Sequence, residues 1–187
     1  IFLRSFTIIG ICTITFTSCN KNEWLNPTPT TLITDQTAFA TPERIQNQVN
    51  GLYSTLKTGN FLGSWYYIIS DARSGDFICT NLNGATGATS YQLLTQTTTN
   101  DVVNIWERGY QAINASNVFI DGMNKFGKEV AGDALTANYI AEARLIRALS
   151  YYYLLQLYAK PYIDGNGSKP GLPVRLERSE ERRVGGG

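Results

Sequence analysis

Between Trp65 and Asn83 the chain gathers the side chains best suited to holding a ligand: Trp65, Tyr66, Tyr67, Asp71, Arg73, Asp76, Asn81 and Asn83. Flat aromatic rings offer an electron-rich face to the C–H side of a ligand, and Asp, Arg and Asn reach its polar groups. That chemistry is capture. The same residues also have a plainer use, because large aromatics are mostly buried and charges mostly face water. Turnover is poorly supported. Cleaving a glycosidic bond needs two carboxylates at a set separation, and nothing in the sequence makes Asp71 and Asp76 converge. The chain has no His, so a Ser–His triad is excluded. No Gly-rich phosphate loop follows a strand.

The elements that must position these residues read as helices. Thr41-Pro42-Glu43 opens the first, with Thr41 as cap, Pro42 in the first turn and Glu43 complementing the helix dipole. Ile45, Val49, Leu52, Tyr53 and Leu56 follow as one apolar stripe, and Gly59-Asn60 closes a helix over 42–57. Residues 60–100 have weak periodicity, with a short apolar run and then the loop NLNGATGATS; an irregular stretch of this length is usually functional. Asp101 is expected to cap a helix over 101–123 that carries Val102, Ile105, Trp106, Tyr110, Ile113 and Asn117. Asp133 is expected to cap the last, from Ala134 to Tyr158, which stops before Pro161.

This last helix carries YIAEARLIRALSYYYLLQLY. Leu145, Leu149, Tyr152 and Gln156 form one row; Ile140, Arg144, Arg147, Tyr151, Leu154 and Tyr158 form another. Apolar residues cover most of its circumference, which predicts packing from more than one side. Glu142, Arg144 and Arg147 argue against a membrane span, and arginine does not titrate usefully for catalysis. The helix therefore reads as one wall of a scaffold, with its arginines paired to acids (Glu142 is one candidate) or to helix ends.

The two ends of the chain read differently. Residues 1–18 have an early Arg4, an apolar stretch and a small residue, Ser18, before Cys19, the layout of an export signal. FTSC is a loose lipobox, which makes Cys19 the residue that carries acyl chains. Cys12 would leave with the signal. Cys79 would then stand alone, without a disulfide or zinc partner, as a small buried hydrophobe. Residues 19–40, with Pro27 and Pro29, read as an extended tether. Residues 178–187, RSEERRVGGG, read as a non-native or disordered tail. With 16 Lys and Arg against 15 Asp and Glu, no charge excess points to nucleic acid.

In order along the chain come WLNPTPTTLIT, FATP from Phe39, GLY from Gly51, WERGYQAINASN from Trp106, EARLIRALSYYYLLQLY from Glu142 and GLPV from Gly171. This series resembles the N-terminal region of the SusD/RagB family of nutrient-binding outer-membrane lipoproteins, over about residues 19–175. The resemblance implies an all-α fold of tetratricopeptide-like helix pairs, here with a long irregular insert, over an incomplete domain at 41–177. It implies glycan binding without turnover or cofactor, and attachment to the outer membrane through lipid. It also implies delivery of the glycan to a SusC-like TonB-dependent transporter at the cell surface. Three departures stand out. Ala159 replaces a usual Gly, Asn20-Lys21-Asn22 is not the acidic patch linked to surface export, and the chain stops after the first part of the family's length. On this reading Trp65, Tyr66, Tyr67, Arg73, Asp76, Asn81 and Asn83 are the candidate ligand-binding residues, with no metal site. The rival reading is a helical-repeat interaction lipoprotein without a sugar site.

Overall fold

The computed structural model describes residues 34–83 and 87–178. Cys19, the signal and nearly all of the tail lie outside the described residues, as does the tether up to residue 33. The tether's last residues are not extended. Asp35–Ala38 form a helical turn (α1), and Phe39 behind it is 2% exposed. The reason is apolar: Phe39 stacks among Phe119 and Phe126, at ring-centroid distances of 5.8 and 6.1 Å.

Helix α2 spans Pro42–Leu56, and Thr41 caps it as predicted, its Oγ1 accepting from Arg44 N at 3.3 Å. Gln48 Nε2 donates to Ala38 O at 2.7 Å and ties α1 to α2. Ile45, Val49, Leu52 and Leu56 are buried as the stripe required, each contributing about 1.5–3 kcal/mol by leaving water. Tyr53 stays at the edge, where its hydroxyl donates to Glu142 Oε2 at 2.8 Å.

The insert holds α3 (Trp65–Ser74) and the short α4 (Ala88–Tyr91). Helix α5 spans Asn100–Gly122, and Met123–Gly127 continue it as one wide π turn into α6 (Lys128–Ala131). Phe39 fills the space a side chain at Gly122 would need, since a Cβ there would lie 2.1 Å from its ring. Helix α7 spans Asp133–Tyr158. The two expected acidic caps lie inside their helices. Asp101 sits in the first turn of α5 behind Thr99, and Asp133 follows Gly132, whose φ of +79 sets the turn.

Helices α5 and α7 run antiparallel. Tyr158 Oη donates to Val102 O at 2.6 Å at one end, and Arg147 Nη1 donates to Asn117 Oδ1 at 2.7 Å further along. Between them Leu154 fills the gap left by Gly109, where a Cβ would meet its Cδ1 at 2.7 Å. Helix α2 packs across both, so Ile105, Ile113, Phe119, Met123, Ile146 and Leu154 join its stripe in one core. Among the described residues all regular structure is helical, and no helix is long and apolar enough to cross a membrane.

Among the described residues the arginines on α7 form no ion pair with acids. Asn117 and Arg147 instead hold the extended strap 171–178 by its backbone. Asn117 Nδ2 donates to Arg175 O and Glu177 O at 3.1 and 3.0 Å, and Arg147 Nη1 to Leu176 O at 3.3 Å. Tyr110 Oη donates to Pro173 O at 2.8 Å. Tyr151 Oη bonds both Arg175 O at 3.0 Å and Arg175 N at 2.6 Å. The expectation that α7 packs from more than one side holds over part of its circumference: α2, α5, α6 and the strap all contact it, while Leu145 and Tyr152 are 54% and 55% exposed.

Candidate functional site

Helix α3 is placed by two glycines. Gly63 lies where a Cβ would be 2.2 Å from Lys57 O, so the chain closes a turn only glycine fits. Gly75 stops the helix in the left-handed conformation, φ +87. Between them α3 presents three faces with different fates.

The first face is structural. Trp65 packs against the core beside Ile69. The second is also engaged: Tyr66 Oη donates to Gln156 Oε1, and its ring meets Tyr153 edge-on at 4.9 Å and 76°. Burial pushes the Tyr66 phenol above its ordinary pKa. The third face opens to solvent. Tyr67 is 50% exposed and lines a cavity of about 260 Å³ together with Ile68, Asp71, Phe77, Ile78 and Tyr91. Phe77 and Ile78 are exposed on its far wall.

The remaining predicted residues lie elsewhere. Asp76 turns back onto its own loop, where Ser74 Oγ donates to its Oδ2 at 2.7 Å. Asp71 and Asp76 therefore do not share the cavity. Arg73 lines a different cavity on another side of α3. Asn81 and Asn83 are exposed, and the Asn81 carbonyl accepts from Cys79 Sγ at 3.4 Å. Cys79 is half-buried at the cavity wall rather than in the core. Of the seven predicted ligand residues, Tyr67 is the one in this cavity. Phe77 and Tyr91 also line it and were not among the predicted residues, although each is an aromatic of the same irregular stretch, the residue type that singled out Tyr67.

Chemically the cavity offers aromatic rings, aliphatic walls and one carboxylate, Asp71. That combination stacks against a ring and accepts hydrogen bonds from it. Among the described residues no cluster of His, Cys, Asp and Glu could hold a metal ion.

An antiparallel helix pair crossed by a third helix, with an aromatic-lined insert on its flank, defines a helix-pair domain of the tetratricopeptide-like kind carrying a ligand-sized cavity. The chain belongs to the SusD-like family, whose model, described as "Starch-binding associating with outer membrane", matches residues 23–182. It is similar to a SusD superfamily protein of Bacteroides fragilis, with 33% identity and a TM-score of 0.70, over 75% of this chain and 33% of that one. A SusD superfamily protein of Bacteroides thetaiotaomicron shares the fold at 21% identity and a TM-score of 0.65, over 75% of this chain and 31% of that one. SusD-like protein P25 of Formosa agariphila is 24% identical over 164 residues, 81% of this chain and 30% of that protein. The chain thus spans about a third of the length of the relatives it matches.

Proposed function

We propose that this chain is part of an outer-membrane lipoprotein that binds oligo- or polysaccharides and delivers them to a SusC-like TonB-dependent transporter. On this reading Cys19 carries the lipid, the protein faces the cell surface, and binding proceeds without turnover. The observation that carries the glycan part is the half-exposed Tyr67 ring, set in a cavity with Phe77, Tyr91 and Asp71. A sugar's C–H face stacks on such rings, and its hydroxyls donate to the carboxylate. The family's description as starch-binding supports the ligand class. Affinity electrophoresis in soluble starch and a panel of plant and algal glycans tests it. Retardation on at least one glycan, lost in Tyr67→Ala and Phe77→Ala with no release of reducing ends, is the expected result. Equal mobility of wild type and both variants on every glycan overturns it.

A second reading, a helical interaction module without a sugar site, draws on one observation: the exposed row Leu145, Tyr152 and Leu155 on α7. It requires the Tyr67 variants to be silent and Tyr152→Ser to weaken association with a transporter. Acyl labelling abolished by Cys19→Ala is the expected check on the anchor.

A further inference from the structure

We propose that the cavity beside Tyr67 prefers a positively charged amino sugar, with Asp71 taking the ammonium group among the rings of Tyr67, Phe77 and Tyr91. This preference rests on the glycan reading above and names the class of sugar within it.

The place is set by α3 and the chain that follows it. Tyr67 and Asp71 lie four residues apart on α3, about one turn, so ring and carboxylate share a face. Ile68 and Ala72 repeat that step beside them. Gly75 then turns the chain in the left-handed conformation, φ +87, and Phe77, Ile78 and Cys79 form the far wall. Tyr91 of α4 adds a third ring. The space they enclose is about 260 Å³, room for one pyranose unit.

Of the described residues lining this cavity, Asp71 alone carries a charge, and among the described residues it forms no ion pair. Arg73, two residues on, lies roughly 200° around the helix and borders the other cavity instead. Asp76 is held by Ser74 on its own loop. The rings add to the same sign. The faces of Tyr and Phe carry negative potential and draw a cation, and a carboxylate alongside supplies countercharge and an acceptor. An ammonium group on the sugar satisfies both at once. A hydroxyl or N-acetyl group in its place keeps the stacking and gives up the charge, and a carboxylate there meets repulsion. Asp71 is exposed, so it selects charge within a place that the rings and walls define.

Calorimetric titration of the full 187-residue chain with a glucosamine trimer, its N-acetylated counterpart and maltotriose tests this, in mildly acidic, low-salt buffer where the amine is protonated. The glucosamine trimer should bind roughly three- to tenfold tighter than either neutral trimer, as a partly exposed cation–π and charge-assisted contact gives. Asp71→Asn, whose amide oxygen still accepts from a hydroxyl, should erase that preference. Tyr67→Ala and Phe77→Ala should weaken all three trimers. Asp76→Asn, which removes a neighbouring charge outside the cavity, should leave the preference in place. Asp71 and Asp76 are both exposed, so neither substitution threatens the fold. Equal affinity for the three trimers, a preference that survives Asp71→Asn, or one that Asp76→Asn erases equally would overturn the proposal and leave the glycan reading standing. Absence of binding to all three, with retardation on another glycan in electrophoresis, would also overturn it alone; absence of both would remove the glycan reading as well.

Discussion

Asn117 is the side chain on which the strap's attachment turns, and replacing it gives a quantitative expectation. It is 3% exposed, donates to two strap carbonyls and accepts from the Arg147 guanidinium. Each neutral bond is worth about 0.5–1.5 kcal/mol net, and the charge-assisted one about 1.5–3 kcal/mol. The strap carbonyls can rehydrate once released, and Arg147 keeps its bond to Leu176 O until then. The low ends therefore apply, and Asn117→Ala should cost about 2–3 kcal/mol. Urea unfolding reads this as a lower midpoint. Trypsin reads the local event: Arg175, whose N and O are both held by Tyr151, should be cut faster. Asn117→Asp separates the two halves of the bond set. It keeps an acceptor for Arg147 but faces an anion toward two carbonyls, so it should be as trypsin-sensitive as Asn117→Ala. If Asn117→Ala leaves both the midpoint and the cleavage rate unchanged, the strap is not held this way and the reasoning fails.

Gly122→Ala places a Cβ 2.1 Å from the Phe39 ring; overpacking should cost about 1–3 kcal/mol, and Phe39→Leu should relieve part of it in a double-mutant cycle read by thermal unfolding. Burial raises the Asp101 carboxyl above its ordinary pKa, so the folded state holds that proton where the unfolded chain has released it. Stability from this group therefore falls as pH rises from the unfolded pKa to the folded one. Asp101→Asn should accordingly raise the urea midpoint at pH 7, with the gain closing as pH drops below the carboxylate range. Burial also holds the Tyr158 phenol far above the ordinary tyrosine value. Tyr158→Phe, which strips a bond from Val102 O, should cost about 1–2 kcal/mol, and difference titration against wild type at 295 nm should show no tyrosine signal lost below pH 11.

The long helices were legible from their periodicity, and for α2 the cap agrees with it. Thr41 and Pro42 start α2 where the sequence places the start, and the tetratricopeptide-like pairing follows from the two longest periodic segments lying next to each other in the chain. What the sequence hid depends on contacts between distant segments. Arg147 reads as half of an ion pair because charge is visible and the path of Gly171–Glu177 is not; a backbone carbonyl leaves no trace in residue type. Tyr66 and Tyr67 are neighbours of the same kind, yet a 100° step around α3 sends one to Tyr153 and Gln156 and the other to the cavity. Composition marked a helix that borders a cavity, but only the helix's rotation against α7 decides which ring is free. Leu145 and Tyr152 were read as packed from hydrophobicity alone, a property that says a surface favours cover and not that this chain supplies it.

The π turn at Met123–Gly127 carries a residue more than ordinary winding of the same height would. The surplus bulges outward at Asn124 and Lys125, while Met123 and Gly127 stay inside. Length variation by one position can be absorbed there without re-phasing the helices on either side. Removing Asn124 should tighten the bulge to α geometry and leave the Phe39 cluster in place, so gaps in related sequences are expected at this point before they appear in the helices it joins.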